Sequence, residues 1–149
     1  MDELDLIGGL EAWLKDRLTA TLEAAGVQVI EFPDAKSSGR PITAKQLYVG
    51  FVREESTDPK PSTLKMVGHP LYQEDILIFE ASIHLKDLRS HQGIYPLKQA
   101  IKRAIKGSRP LREHPTSAFW IRRFGFDSLD QGVWSYNLDI AINAPEYYL

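Results

Sequence analysis

The densest cluster of side chains that could do chemistry is basic and lies in residues 89–111. Lys98, Lys102 and Lys106 recur at intervals of four, Arg103 lies beside them, and the segment contains no acidic residue. Residues four apart share one face of an α-helix, so the spacing predicts a single basic surface formed by these four side chains. Further arginines could extend that surface: Arg109, Arg112, Arg122 and Arg123.

The overall charge argues against a dedicated nucleic-acid reader. The 149 residues include 18 Lys and Arg against 20 Asp and Glu, a net charge of −2. Nucleic-acid readers are usually basic overall and add aromatic side chains for stacking. We therefore favour a solvated helix face. The alternative is a nucleic-acid-binding module that uses the basic helix over 94–106, and a steep loss of DNA affinity with salt would support it.

The remaining reactive residue types form no pattern that indicates catalysis or a cofactor. His69, His84, His91 and His114 fall in four separate segments, without the paired spacing of a helix-borne metal site. The sequence has no cysteine, which excludes disulfides, thiolate zinc sites and a Cys nucleophile. It also has no G-x-S-x-G elbow and no glycine-rich phosphate loop. We expect no enzyme activity, no metal and no cofactor.

Length and hydropathy predict one soluble domain over residues 1–149. The size matches an ordinary domain with a core of its own. The acidic start, MDELDL, lacks the basic region of a signal peptide. No apolar run approaches the roughly 20 residues that span a bilayer. We therefore expect a protein that is neither exported nor inserted in a membrane.

Hydrophobic periodicity predicts two helices. The first runs from Leu6 to near Gly26, with apolar residues at intervals of three and four. The second buries Ile94, Leu97, Ile101 and Ile105, admits Pro96 in its first turn and ends at Gly107.

Short runs of alternating or β-branched residues predict five strands. They are VQVIEF, KQLYVGFV, DILIFEASIHLK, AFWIRRFGF and GVWSYNLDIAI, with DSLDQG as a hairpin turn before the last. In the last strand Ser135, Asn137 and Asp139 are predicted to point outward. The order α-β-β-β-α-β-β predicts an α+β fold, with an antiparallel or mixed sheet of about five strands flanked by two main helices.

The long connection over residues 53–70 and the end of the chain are the predicted assembly regions. We expect long loops near 33–45 and 53–70 and a short C-terminal tail. Long irregular loops tend to be functional, and exposed aromatic residues are enriched in protein interfaces. The candidate assembly interface is formed by Arg53, Glu54, Glu55, Lys60, Lys65, Tyr147 and Tyr148.

A series of short motifs follows a fixed order along most of the chain. Helix two is entered through Gly-x-Tyr and ends at a Gly and Pro stop, and a W-x-Y strand follows. The positions are Gly93, Tyr95, Leu97, Ile105, Gly107, Pro110, Trp134 and Tyr136, preceded by Phe32–Asp34 and the strand Leu47–Phe51. This series resembles the Mu-like phage gp37 family, the small tail-terminator proteins of contractile-tailed phages. Residues 53–70 depart from the family, because they lack its small-residue loop start.

The resemblance implies a structural role without catalytic residues. Such a protein forms a ring, expected to be a homo-hexamer, that caps the head-proximal end of the tail tube and sheath. The ring ends polymerisation and joins the tail to the neck. The implied partners are other copies of the chain, tail tube and sheath proteins and neck or connector proteins. The basic helix, independently of the resemblance, adds non-specific contact with passing DNA as a further option. The implied location is the virion tail, assembled in the host cytoplasm, and a contractile injection particle fits equally well.

Overall fold

Two helices cover one face of a mixed β-sheet in the computed structural model of the protein, which describes residues 3–31, 45–56, 60–61, 71–86, 91–111 and 117–148. The helices are α1 (Glu3–Leu22) and α2 (Tyr95–Ile105), with short 3-10 turns at Glu23–Ala25 and His91–Ile94. The strands are β1 (Gln28–Glu31), β2 (Gln46–Ser56), β3 (Lys60–Pro61), β4 (Leu71–Lys86), β5 (Trp120–Asp130) and β6 (Val133–Tyr148). The predicted α+β class and element order are confirmed, and the two-residue β3 is an addition.

The sheet is built around the pairing of its two longest strands. The path of paired strands is β1-β2-β4-β6-β5, with β3 paired to the start of β4. The β4 and β6 strands are antiparallel over sixteen residues each, and their register is unbroken from Leu71↔Tyr148 to Lys86↔Val133. All pairings in the path are antiparallel except the parallel one between β1 and β2.

The core lies between the helices and one face of the sheet. Alternate residues of β4 and β6 are fully buried there, as the strand pattern predicted. Phe119, just before β5, joins the two layers: its ring stacks on Trp13 of α1 at 5.4 Å and meets Phe79 of β4 edge-on at 6.2 Å. Aromatic pairs of this geometry add stabilisation beyond the area that they bury. The buried aliphatic residues of α1 are Leu10, Leu14, Leu18 and Leu22.

Glycines with positive φ end the helices and close the hairpin. Gly26 follows α1 with φ 73° and Gly107 follows α2 with φ 80°, a conformation that glycine adopts without steric cost. The backbone of Gly107 then donates to the Phe119 carbonyl at 2.9 Å, which ties the end of α2 to the entry of β5. Gln131 and Gly132, with φ of 49° and 79°, form the two-residue turn of the β5–β6 hairpin. The turn is shorter than the predicted DSLDQG, because residues 127–130 belong to β5.

Three sequence expectations differ from the structure. Arg53–Ser56 belong to β2 rather than to a loop, because they pair with residues 75–78 of β4. The predicted C-terminal tail is largely strand, since the backbone of residues 144–148 pairs with residues 71–75. Ser135, predicted to point outward, is buried, because the sheet face that it occupies also carries His84. The loop residues 33–44, 57–59 and 62–70 lie outside the described residues.

The buried stripe of α2 predicts unequal effects of one substitution at two positions. Ile101 is 1% exposed in the core, and Gln99 is exposed on the same helix. Ile101→Asp should lower the free energy of unfolding by about 3 kcal/mol or more, because it buries an unpaired carboxylate. Gln99→Asp, the matched control, should change it by less than about 1 kcal/mol. Chemical denaturation measures both, and equal losses would contradict the assignment of the buried face.

Candidate interaction surface

The predicted basic helix has its apolar stripe in the core, and of its lysines Lys106 is exposed as predicted, whereas Lys98 and Lys102 are half-buried. Ile101, Ala104 and Ile105 are buried, Leu97 is half-buried, and Pro96 lies in the first turn. The helix is fixed to α1 by Arg17, whose Nε donates to the Ala104 carbonyl at 3.1 Å. The core therefore holds α2 in a set orientation and determines where its lysines lie.

Three of the four predicted basic residues line a groove between α2 and β5. This basic groove has a volume of about 320 Å³, and its walls are formed by Lys98, Lys102, Lys106, Trp120, Ile121, Arg122, Arg123 and Phe124. Arg103 is exposed and does not line it. Of the four arginines that could extend the basic surface, Arg122 and Arg123 line the groove with the lysines and Arg109 does not. Trp120 was not predicted, because only the fold brings β5 beside α2.

A bulge in β5 determines how the second wall is formed. The register with β6 shifts between Ile121 and Arg123, so Arg122 is an additional residue in the strand. Its Nη1 donates to Glu55 Oε2 on β2 at 2.8 Å. Glu55 also accepts from Arg53 at 3.0 Å, and the hydrogen bonds from Arg53 and then Arg122 hold the pKa of Glu55 below its ordinary value. Arg122 is therefore compensated locally, and the lysines supply most of the groove's uncompensated charge.

An apolar pocket continues the basic groove toward the start of α2. It has a volume of about 420 Å³ and is lined by Ile94, Tyr95, Lys98, Phe124, Gly125, Phe126, Trp134 and Tyr136. Phe126 is 58% exposed and Tyr95 48% exposed, although both are large apolar side chains. Lys98 belongs to both cavities, and its Nζ lies 4.8 Å from the centre of the Phe124 ring.

Tyr136 places a buried hydroxyl at this pocket. The residue is 3% exposed, and its ring packs against Phe124 at 5.8 Å and Phe126 at 5.7 Å. Its hydroxyl oxygen is buried and has no hydrogen-bond partner among the described residues. Burial, with a smaller contribution from Tyr95, raises the pKa of Tyr136. A buried hydroxyl without a partner costs free energy in the unbound protein.

On the opposite face of the sheet, His84 is the centre of a hydroxyl network. Its Nε2 and Nδ1 lie 2.9 Å from the Ser82 and Ser135 hydroxyls, and its ring meets Tyr48 edge-on at 5.6 Å. Burial lowers the pKa of His84, against a smaller opposing effect of Asp127. Both ring nitrogens are engaged, which suits a neutral imidazole that satisfies two buried or half-buried hydroxyls. The sequence pattern did not identify this network.

A mixed-charge cluster lies nearby on that face. Arg53 Nη2 is 3.9 Å from Asp139 Oδ2, and Glu80 and Arg123 line the same cavity. Burial, then the nearby Asp139 and Asp127, raises the pKa of Glu80. Within the described ranges, no three His, Asp or Glu side chains are grouped as metal ligands. His69, His114 and Arg112 lie outside those ranges.

The predicted assembly residues fall on neighbouring strands. The backbone of Leu71 and Tyr72 pairs with Pro61 and Lys60 on one side and with Tyr148 and Tyr147 on the other. The part of β2 that contains Arg53, Glu54 and Glu55 pairs with residues 76–78 of β4. The fold thus brings these segments to one end of the sheet, while Lys65 lies outside the described residues. Their role in assembly stays a prediction.

Comparisons with known proteins relate the fold to a virion component. No family model and no curated protein matches the sequence. The structure is similar to a chain of the virion of a native gene transfer agent particle, with a TM-score of 0.53 and 15% sequence identity. The match covers 93% of this chain and 96% of that chain. At this identity the likeness establishes a shared fold. Neither α1 nor α2 combines the length and hydropathy of a bilayer-spanning helix.

The unpartnered hydroxyl of Tyr136 predicts a stabilising substitution. Tyr136→Phe removes a buried polar atom without changing the packing of the ring, so the free energy of unfolding should rise by about 1 kcal/mol. Tyr48→Phe is the matched control, because its hydroxyl donates to Gln46 Oε1 at 3.0 Å. That change should leave stability unchanged or lower it. Thermal or chemical denaturation measures both, and a loss of stability in Tyr136→Phe would show that its hydroxyl has a partner.

Proposed function

We propose that this protein is a structural component of a phage-like particle, and specifically its tail terminator. The observation that carries the proposal is the fold shared with a gene transfer agent virion chain over nearly the full length of both chains. The ordered motifs that resemble the gp37 family support the finer assignment. The role requires no enzyme activity and no cofactor.

The architecture suits a subunit of a closed ring. A ring of identical subunits needs two different surfaces on each subunit, and the rotation between neighbours must close. The end of the sheet formed by Lys60–Pro61, residues 71–72 and Tyr147–Tyr148 is the first surface that we propose, together with Arg53, Glu54, Glu55 and Lys65. The sixteen-residue β4–β6 pair connects it to the hairpin at the other end. We expect a homo-hexamer whose two faces differ.

In this proposal the ring binds the last tube and sheath subunits on one face and neck or connector proteins on the other. It therefore acts in the virion tail, after assembly in the host cytoplasm. Chemically distinct faces would prevent a second layer from adding, which is how a ring can end polymerisation. A contractile injection particle without a capsid would use the same tube-binding face.

A nucleic-acid-binding module is the second candidate, and the basic groove with Trp120 is the observation that favours it. The net charge of −2 opposes it, because no long-range field attracts the nucleic-acid backbone. A salt titration of DNA binding separates the two candidates, since phosphate contacts make affinity fall steeply with salt. If the affinity for DNA is weak and does not change when the lysines of α2 are replaced, the result favours the structural role.

Deleting the gene tests the terminator assignment. A terminator must bind the growing end of a tube and then present a face to which tube subunits cannot add. We expect lysates of the deletion strain to contain overlong or ragged tubes and sheaths in negative-stain electron micrographs, with heads unattached where heads exist. The levels of the other structural proteins should be unchanged, and complementation in trans should restore tail length. Normal tails with intact necks would exclude the terminator role.

Assembly should protect the proposed interface segments. Hydrogen exchange of residues 53–70 and 144–149 should slow in the assembled particle relative to the free subunit, because contacts between subunits exclude water from backbone amides. The central part of β4, residues 77–85, is already buried in the free subunit and serves as the internal control. If each segment exchanges at the same rate in the free subunit and in the assembled particle, the interface lies elsewhere.

A further inference from the structure

The basic groove and the apolar pocket form one continuous surface because Lys98 lines both. Along the axis of α2 the surface runs from Tyr95 to Lys106, and its character changes from aromatic to cationic. If the lysines were only a solvated helix face, the aromatic pocket beside them would have no explanation. Large exposed apolar side chains beside such a pocket mark a place where another molecule binds.

The buried hydroxyl of Tyr136 is an independent sign of a missing partner. Its oxygen has no hydrogen-bond partner among the described residues, and the residue lines the pocket. Buried polar groups in proteins are nearly always satisfied. Because the oxygen is shielded from solvent in the unbound protein, a polar atom of a ligand would reach this hydroxyl only if the side chains that cover it move on binding.

We propose that this surface binds an acidic protein segment that carries one large apolar side chain. The apolar side chain occupies the pocket between Tyr95, Phe126 and Trp134, and a backbone carbonyl or carboxylate accepts from the Tyr136 hydroxyl. Carboxylates that follow along the segment pair with Lys98, Lys102 and Lys106. The proposal holds whether or not the protein is a terminator; if it is, the segment belongs to another protein of the particle.

The spacing of the lysines specifies the form of the segment. Residues four apart on an α-helix are separated by about 6 Å along its axis. Alternate residues of an extended chain are separated by about 6.6 Å and point to the same side. An extended segment with acidic residues at every second position therefore matches Lys98, Lys102 and Lys106 in register.

The same geometry favours a protein segment over nucleic acid. The Phe124 ring is covered by Lys98, and Trp120 is half-buried, so neither presents a free face on which bases stack. Arg122 is paired with Glu55, which reduces the charge available for phosphates. The described residues that line the groove include no acidic side chain, so a carboxylate meets no like charge there.

The test uses the full chain and a fluorescein-labelled peptide, Glu-Ser-Glu-Ser-Glu-Ser-Phe-Ser-Glu-Ser-Glu-Ser-Glu, in which the phenylalanine and all glutamates lie on the same side of an extended chain. The central position allows either chain direction. Fluorescence anisotropy measures the dissociation constant, and thermal melting confirms that each variant is folded. Replacing the peptide's phenylalanine by serine should weaken binding about tenfold, because the pocket then stays empty.

Lys102→Glu and Arg103→Glu are the matched pair of protein variants. They make the same charge change at adjacent positions of α2, but only Lys102 lines the groove. We expect Lys102→Glu to weaken peptide binding about fivefold or more and Arg103→Glu to change it by less than about twofold. Tyr136→Phe should also weaken binding, although it stabilises the free protein.

Three results would overturn the proposal. The first is no peptide binding at about millimolar concentration, the usual limit of weak association. The second is an equal loss in Lys102→Glu and Arg103→Glu, which would indicate attraction to overall charge rather than to the groove. The third is tighter, Lys102-dependent binding of a short DNA duplex than of the peptide, which would assign the surface to nucleic acid.

Discussion

The unbroken antiparallel pairing of β4 with β6 is the constraint on which the rest of the structure depends. Side chains alternate between the two faces of a strand, so sixteen paired residues without a bulge fix the face of every residue in both strands. One face carries most of the buried apolar residues of both strands and is covered by α1 and α2. The other carries His84, Glu80 and Asp139, together with the buried Ile78 and Ala141. A shift of one residue would exchange these faces and bury the charged groups.

The neighbouring strands adapt to this central pair through bulges. In β5 the apolar residues Ile121, Phe124, Phe126 and Leu129 are spaced by three, two and three, which is not a strand period. Register shifts after Ile121 and after Phe126 absorb the additional residues, and all four apolar residues pair with positions of β6 on the helix-covered face. The first of these bulges also places Arg122 and Arg123 beside the lysines of α2. The candidate interaction surface thus depends on the pairing of the bulged strand β5 with the regular strand β6.

This division explains which features could be predicted from the sequence. The helices and the central strands follow regular periods, and their positions and the buried face of α2 were predicted from those periods. The exposure predicted for the lysines holds for Lys106, whereas Lys98 and Lys102 are half-buried against β5. The groove and the pocket join α2 to β5 across the fold, so no local pattern contains them. Ser135 was predicted to be exposed but is buried. The alternation of residues identifies the face of the sheet on which Ser135 lies, but its burial depends on the neighbouring side chain of His84. Residues 53–56 and 144–148 lack an apolar period, and their strand conformation comes from pairing with the long β4.

The edges of the sheet bear on how such a subunit can assemble. Among the described strands the edges of the sheet are β1, which has four residues, β5, and the two-residue β3, which pairs with β4 alone. An exposed edge strand can pair with another copy and continue a sheet without limit, and bulges and charged residues oppose this. The β5 strand has two bulges and carries Arg122, Arg123, Asp127 and Asp130. Edge-to-edge growth along β5 is therefore disfavoured. Contacts between copies at this edge would use side chains rather than backbone pairing, which suits the ring subunit that we propose.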